Sequence, residues 1–358
     1  MIVVYYSILN APAASKSRLS QIHVALLVNE KRALKYGLSR VFEPLIQDIL
    51  HLESTGIVVH GEVLKGSVLF MAGDNLSCHR IGGFKANFSH GRICRYCLTL
   101  RHEISTKHAE SDFVRRTPEG HMHHLRMKAN GAHTLSLYGV KEACHLTFTG
   151  FLPTEHLPPD VMHDIHEGVL PFVLRHLLAS LIASGMFSLS DLNAAVSEFS
   201  YAACDRKNRT EVISMDYIRG KANIKGNASQ IFCFFRHLAL YVGECVPPEH
   251  EVWKLYLSLR EIVDIVMSKR VPLDEVSNLR KTIESFSKEF QAQFPTAVVP
   301  CKMHYLVHYP EYILKYGPLV HIWAMRYEAK HQYFKDITKK MRNFKNITGS
   351  LSRRHQFL

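Results

Sequence analysis

The stretch Gly66-Ser67-Val68-Leu69-Phe70-Met71-Ala72-Gly73-Asp74-Asn75 decides how the chain is interpreted. An apolar run ends in Gly-Asp and is followed by polar residues, which predicts a buried strand with a carboxylate at its C-terminal end. Open α/β sheets place their chemistry at that edge. Asp74 has a second interpretation, as an Asx-turn residue or as the N-cap of the helix that follows.

The residues before this stretch predict an α/β order. Residues 2–9 and 22–28 are rich in β-branched and other apolar side chains and predict strands, with a turn at 11–15 between them. Apolar residues recur at helical spacing between 31 and 53, which predicts one helix. The predicted order up to Asp74 is therefore strand, strand, helix, strand.

The rest of the chain predicts an irregular segment at 91–149 and then helices. The longest apolar stretch, 168–187, is interrupted by Arg175 and His176, which favours a buried helix over a membrane span. No membrane partner is therefore expected. The predicted helices lie at about 163–186, 190–203, 229–245, 250–268, 272–291 and 320–340.

The composition is that of a folded chain and favours a polyanionic partner. Of the 358 residues 47% are hydrophobic, enough for a substantial core. The formal net charge is +12 with the 23 histidines uncounted, which suits nucleic acid first and an anionic membrane second. Two of the eight cysteines lie close together, so reduced thiols in the nucleus or cytosol are expected, with that pair as a metal candidate.

The close pair is Cys94-Arg-Tyr-Cys97, a spacing that lets two thiolates bind one tetrahedral Zn²⁺. Disulfide exchange is the competing interpretation, but a thioredoxin-like context is absent. Two sets of residues are candidates for the other half of the site. The favoured set is His304 and His308, whose i,i+4 spacing puts both imidazoles on one helix face. The alternative is Asp160 with His163, and His166 one turn further on.

Glu328 is the second carboxylate of interest, in the last predicted helix. Its neighbours Arg326, Lys330 and Lys335 are basic, so local charge balance explains it. It also suits a metal site whose basic neighbours hold phosphates. Two carboxylates facing each other, Asp74 and Glu328, would bind Mg²⁺ for phosphodiester chemistry.

An ordered set of motifs resembles the Tnp2-like transposases of CACTA-type DNA transposons, in the form found in animal genomes. In sequence order the motifs are Gly73-Asp74-Asn75, Cys94-x-x-Cys97, Pro158-Pro159-Asp160-Val161-Met162-His163-Asp164 with Glu167-Gly168, Lys302-Met303-His304-Tyr305, and Met325-Arg326-Tyr327-Glu328-Ala329-Lys330-His331. The set extends over nearly the whole chain, and the order of the motifs carries the resemblance.

The resemblance implies an RNase H-like core with an Asp-Asp-Glu (DDE) triad on two Mg²⁺ ions. Asp74 matches the second aspartate and Glu328 the glutamate, with a long, mostly helical insertion between them. The cysteine pair and a later histidine pair are similar to the zinc arrangement of the Transib and V(D)J recombinases, which favours His304 and His308. The family's Asp-x-x-His element matches Asp160 and His163.

The first aspartate of the triad is the point of departure from the family. In the family it lies on the strand before the one predicted at 2–9, whereas no aspartate here precedes Asp48. We therefore expect these residues to lack the first core strand and its carboxylate. A two-metal site without that carboxylate should fail to position its metals. Loss of a central strand should also leave strand edges unpaired.

These expectations combine into an α/β fold class: a partial RNase H-like core with a large, mostly helical, zinc-containing insertion. The predicted domains are 1–92, the first part of the core; 93–300, the insertion; and 301–358, the rest of the core with the glutamate helix. The expected function is that of a nuclear, catalytically inactive, DNA-binding transposase fragment that recognises transposon ends and forms a homo-oligomer. The alternative is a zinc-stabilised helical interaction protein with no nucleic-acid role.

Overall fold

The computed structural model describes residues 1–12, 18–148, 150–342 and 345–356. The chain is mostly helical, at 57%, with few strands. It divides into two compact units. The terminal unit comprises Met1–Phe84, Lys141–Pro158 and Ala324–Leu358, and the helical unit comprises Lys85–Val140 and Pro159–Trp323. The boundaries predicted at 92 and 300 are not those of these units.

The terminal unit contains two short hairpins and five helices among its described residues. The strands are β1 (Ile2–Tyr6), β2 (His23–Val28), β3 (Ile57–Val59) and β4 (Glu62–Leu64), and the helices are α1 (Glu30–Tyr36), α2 (Leu38–Ser54), α3 (Asn75–Ile81), α14 (Met325–Met341) and α15 (Ile347–His355). The helix predicted at 31–53 is two helices, because Gly37 ends α1 in a left-handed conformation at φ +91°. The turn predicted at 11–15 lies outside the described residues from residue 13 onwards.

The hairpin of β1 and β2 has helices on both faces. The strands pair antiparallel, with Ile2 opposite Val28. Val4 packs against a buried cluster that includes Phe42 of α2. Tyr5, the next residue, faces the other way and contacts Phe334 of α14 with ring centroids 6.3 Å apart. The alternation of side chains along a strand thus gives each face its own helix.

The prediction of a strand that ends at Asp74 is wrong. Residues 66–73 belong to no strand, and Asp74 is instead the N-cap of α3. Val68 and Met71 are half-buried against the core of the terminal unit, whereas Leu69 is 55% exposed, so the predicted burial holds only in part. A strand needs a ladder partner, and among the described strands β1 pairs only with β2 and β3 only with β4.

The predicted fold class is therefore supported in its coarse part. The described residues show a mostly helical chain with a Cys/His cluster, which fits a helical, zinc-containing insertion. They contain two separate two-stranded hairpins and do not establish an RNase H-like core.

The helical unit is built from a series of helices around one apolar centre. They are α4 (Pro118–Ala129), α5 (Thr134–Tyr138), a π-helix (Met162–Val169), α6 (Leu170–Ala183), α7 (Leu189–Glu198), α8 (Met215–Ile218), α9 (Ala228–Val242), α10 (Glu251–Met267), α11 (Leu273–Gln293), α12 (Cys301–Tyr305) and α13 (Tyr309–Tyr316). Each helix predicted after residue 160 overlaps an observed one. The element predicted at 320–340 begins as a helix only at Met325.

The segment Met162–Ala183 is long and apolar enough to cross a membrane by length and composition alone. Helices α9 and α10 pack against α6 in this segment. Leu174, Leu177 and Leu178 have no exposed surface. This packing within the helical unit gives its apolar character a structural reason, as the sequence predicts.

Candidate metal centre

The cysteine half of the centre is a tight turn held by backbone pairing. Cys97 forms an antiparallel bridge with Arg115. The N–H of Tyr96 donates to the Cys94 sulfur at 3.3 Å, and the backbone N–H of Thr99 bonds the Cys97 sulfur. Hydrogen bonds from N–H groups stabilise thiolates, so the turn prepares both sulfurs as ligands.

The histidine half comes from an interrupted helical segment. Helix α12 ends at Tyr305, a 3₁₀ turn covers Leu306–His308, and α13 follows. Pro310 lies in the first turn of α13, and a proline has no N–H with which to continue a helical ladder across such a junction. The Tyr305 hydroxyl donates to the carbonyl oxygen of Ile93 at 3.0 Å, which fixes this segment against the cysteine turn.

The four favoured ligands meet in one buried cluster. The Cys97 sulfur lies 3.3 Å from Nε2 of His304, and the Cys94 sulfur lies 3.6 Å from Nε2 of His308. All four ligand atoms lie within 4.8 Å of one another. Tetrahedral zinc bonds of about 2.0–2.3 Å place their ligand atoms roughly 3.3–3.8 Å apart. The predicted grouping is confirmed, and the cluster can hold a metal ion.

Burial and mutual contacts set the protonation of the cluster. Burial opposes ionisation of both thiols, but a hydrogen bond from Cys97 holds the pKa of Cys94 well below its usual range. Burial, with the neighbouring Cys94, raises the pKa of Cys97. Burial also lowers the pKa of His308 to about 4. A neutral imidazole and a thiolate are the forms that bind metal.

Arg116 lies beside the thiols and was not singled out by the sequence. Its Nε donates to the Cys94 carbonyl oxygen at 3.1 Å and its Nη2 to the Tyr138 carbonyl oxygen at 2.7 Å. Burial lowers its pKa to about 10, against the opposing charge of Cys94 and Cys97. A guanidinium stays protonated at that value, so it offsets the negative charge of the Cys94 thiolate at neutral pH.

Arg115 contacts the outer nitrogen of His308. Its Nη1 lies 2.8 Å from Nδ1 of His308, and its Nη2 lies 2.5 Å from a carboxylate oxygen of Glu311. In this arrangement Nδ1 accepts, so the imidazole proton lies on Nε2 and points at Cys94. Metal binding at Nε2 displaces that proton. Neither Arg115 nor Glu311 carries a spacing signal that links it to the cysteines in the sequence.

The alternative ligands, Asp160 and His163, bond each other instead. The Asp160 carboxylate accepts from the backbone N–H of His163 at 3.0 Å and lies 2.7 Å from its Nδ1. Asp160 lies just before the π-helix and is buried, and these bonds join it to His163 in the first turn of that helix. Neither residue belongs to a group of three or more potential ligands within the described residues. The structure thus selects the histidine pair after α11.

The predicted catalytic carboxylates, Asp74 and Glu328, both lie in the terminal unit. The Asp74 carboxylate accepts from the Ser77 N–H at 2.6 Å. Glu328 is exposed on α14. The pKa of Tyr5 is raised mainly by the burial of Tyr5 and to a lesser extent by the charge of Glu328. Within the described residues neither Asp74 nor Glu328 belongs to a group of three potential ligands, so a Mg²⁺ site there has no structural support.

The predicted nucleic-acid contacts divide into two classes. Arg326 and Lys335 are exposed on α14. Lys330 is only 9% exposed. Its ammonium donates to the Leu19 carbonyl oxygen at 3.1 Å, and burial lowers its pKa. Lys330 therefore holds the chain near Leu19 rather than presenting its charge to a ligand.

His166, one turn after the alternative ligand pair, is a core residue and not a ligand in a described cluster. It lies in the π-helix with 1% of its surface exposed, and neither ring nitrogen has a hydrogen-bond partner among the described residues. Its ring stacks on Phe232 with centroids 4.5 Å apart and meets the edge of Trp323. Burial lowers its pKa to about 4. It is a neutral, stacked core ring at neutral pH.

Comparison with known proteins adds no assignment to this geometry. No protein-family model matches the chain, and no curated protein matches it. The family suggested by the ordered motifs therefore remains a prediction.

Proposed function

We propose that this chain is a transposable-element-derived segment of a DDE-type transposase that binds DNA through its basic surface and carries a structural zinc ion. The observation that carries the proposal is the assembly of Cys94, Cys97, His304 and His308 into one cluster. The resemblance implied this pairing of a cysteine pair after Asp74 with a histidine pair before Glu328.

The division of the chain adds support. Asp74 and Glu328 belong to the terminal unit, although more than two hundred residues separate them. The four zinc ligands all belong to the helical unit. A core that carries the carboxylates and an insertion that carries the metal is the organisation expected for such a transposase.

A structural role for zinc follows from the ligand set. Four protein ligands fill a tetrahedral shell, whereas catalytic zinc sites keep one position open for water or substrate. Each of the four residues is at most 4% exposed. Zinc would join the cysteine turn to the helical segment that holds the histidines, and would supply no chemistry to a substrate.

DNA as the partner is supported by charge. The net charge is +12, and the C-terminal helices α14 and α15 present exposed cations. They are Arg326, Lys335, Lys339, Lys340, Arg353 and Arg354. Such a surface attracts phosphates without reading base sequence, and its affinity falls steeply with salt.

The alternative function is that of a zinc-stabilised helical interaction protein with no nucleic-acid role. It is supported by the high helix content. It is also supported by Asp74 and Glu328, which belong to no potential metal-binding group within the described residues. The two functions differ in one measurable property. For a DNA-binding protein, the logarithm of the affinity for a duplex falls linearly with the logarithm of the salt concentration. A protein with no nucleic-acid role shows no such binding.

The deciding experiment is fluorescence anisotropy of a labelled duplex over a salt series. We expect wild-type protein to bind at low salt, and an Arg326→Gln/Lys335→Gln variant to bind more weakly with a less steep salt slope. A Lys225→Gln/Lys281→Gln variant removes the same charge from exposed positions of the helical unit and serves as the control. No duplex binding by wild type at low salt would overturn the proposal.

Catalysis is tested separately by a Mg²⁺-dependent nicking assay. Within the described residues, Asp74 and Glu328 belong to no group of three potential metal ligands, so we propose that these residues bind DNA without cutting it. Cleavage that disappears in an Asp74→Ala variant would contradict that part of the proposal and leave DNA binding intact.

A further inference from the structure

A cleft in the helical unit brings together two arginines that are adjacent to no metal ligand. It is open to solvent, with a volume of about 340 Å³. It lies between α6 and the turn that follows α8. Its lining residues are Arg175, His176, Ala179, Ile218, Arg219 and Gly220.

The walls of this cleft are held in place by specific contacts. Tyr217 is buried at 3% exposure, and its hydroxyl donates to the Pro171 carbonyl oxygen at 2.6 Å. This bond fixes α8 against the start of α6. Gly220 follows in a left-handed conformation at φ +70°, and a Cβ built on it would lie 3.7 Å from the Arg175 guanidinium. The turn thus sits directly against one of the two charges.

The two guanidiniums share the cleft without a protein anion. Neither Arg175 nor Arg219 forms an ion pair or a side-chain hydrogen bond with a described residue. The Arg175 guanidinium lies 5.6 Å from the ring centre of Phe172. Two like charges in one cleft repel each other. A bound anion would relieve that repulsion.

The chemistry of the lining points to a phosphate group. Guanidinium groups present paired N–H donors that match phosphate oxygens, and arginine is the preferred residue for this recognition. Ala179 and Gly220 are small, which leaves space beside the charges. His176 holds its Nδ1 2.9 Å from the Phe172 carbonyl oxygen, so its ring is fixed at the edge of the cleft.

We propose that this cleft binds a backbone phosphate of DNA. This inference rests on the proposed DNA-binding function and adds a contact point in the helical unit. A free phosphate offers the same chemistry, and the experiment below separates the two sources.

The test compares an Arg175→Gln/Arg219→Gln variant with wild type in the duplex-binding assay. Loss of one phosphate contact should reduce the magnitude of the log-affinity against log-salt slope by about 0.9. The control is Arg126→Gln/Arg270→Gln, which removes two exposed arginines from the same unit. Equal melting temperatures for the variants and wild type establish that each protein is folded.

Calorimetry with inorganic pyrophosphate provides the second arm. A lower slope in the cleft variant alone supports the proposal. If the cleft variant binds the duplex as wild type does, the proposal for the cleft is overturned, whether or not pyrophosphate binds. The proposed DNA-binding function is then unaffected. If wild-type protein binds no duplex, the proposed function is overturned. If wild-type protein then binds pyrophosphate and the cleft variant does not, the cleft binds a free phosphate, which contradicts this proposal.

Discussion

The two units treat their predicted functional residues in opposite ways. In the helical unit, two cysteines and two histidines from distant parts of the chain meet within 4.8 Å and are almost fully buried. In the terminal unit, Asp74 caps a helix and Glu328 is exposed on α14. Burial of a polar group is costly unless the group is bonded, whereas a carboxylate nearer the surface can be satisfied by water or, as for Asp74, by a local backbone N–H. Burial therefore determines which predicted site is assembled.

The two units also differ in how far their apolar side chains are buried. In the helical unit, large apolar side chains such as Phe286 and Tyr256 have no exposed surface. In the terminal unit, every residue of β3 and β4 is exposed, with Val58 at 72% and Val63 at 60%. Short hairpins are marginally stable without packing on a face. We thus expect the helical unit to carry most of the folding free energy.

The largest expected effect is loss of the metal. Wild-type protein should purify with one equivalent of zinc, and Cys94→Ser should lose it. Structural zinc contributes about 10 kcal/mol or more in small zinc domains, so removal should melt the segments it joins. Elemental analysis and circular dichroism of chelator-treated protein measure both effects.

Cys245→Ser is the matched control for this prediction, because Cys245 is an exposed cysteine of the same unit. It should retain both zinc and melting temperature. Zinc retained at full stoichiometry by Cys94→Ser would show that the buried cluster does not bind the metal.

A smaller effect comes from a cavity in the helical core. Phe286→Ala should cost about 3–5 kcal/mol of unfolding free energy, because it removes a fully buried ring. Val58→Ala, at an exposed position of β3, should stay within about 0.5 kcal/mol of wild type. Urea unfolding of both variants provides the measurement. Similar costs at the two positions would contradict the difference between the units.

The pH dependence of stability tests the buried ring of His166. Its pKa is lowered to about 4 in the folded protein, against about 6.5 when unfolded. The unfolded state therefore binds more protons between these values, so stability is present above pH 6.5 and is lost as the pH falls towards 4. This single group should cost about 2 kcal/mol between pH 7 and pH 5.

His166→Phe should flatten that dependence, because the ring stack with Phe232 remains and the titrating group is gone. His123→Phe, at an exposed position of α4, is the control and should leave the slope as in wild type. Urea unfolding at both pH values provides the comparison. An unchanged slope in His166→Phe would mean that His166 is not a neutral core residue.

The smallest effect concerns Asp74. Asp74→Ala should cost about 1 kcal/mol because it removes an N-cap, and Asp74→Asn should stay within about 0.5 kcal/mol because asparagine caps equally well. If the carboxylate binds Mg²⁺, the ion should raise the melting temperature of wild type but not of Asp74→Asn. A Mg²⁺ shift that is equal in both would leave Asp74 a cap only.

The sequence correctly predicted the helices after residue 160 and the strands at 2–9 and 22–28, and it wrongly predicted a strand at 66–73. Helices such as α10 and α11 carry their apolar stripe within one segment, so local spacing is sufficient to identify them. A strand depends on a partner elsewhere in the chain. Residues 66–73 have the composition of a strand and pack in part against the core, yet they have no ladder partner in the described part.

The sequence by itself determined the chemistry available to the metal centre: a Cys-x-x-Cys turn and two histidines four residues apart, each half recognisable from local spacing. Only the tertiary structure decided that His304 and His308, rather than Asp160 and His163, complete the set. It also placed Arg115 and Arg116 beside the ligands, and it buried Lys330 against the Leu19 carbonyl oxygen. The reason is that burial, distance and charge compensation depend on contacts between segments far apart in the chain, and local spacing carries no information about them.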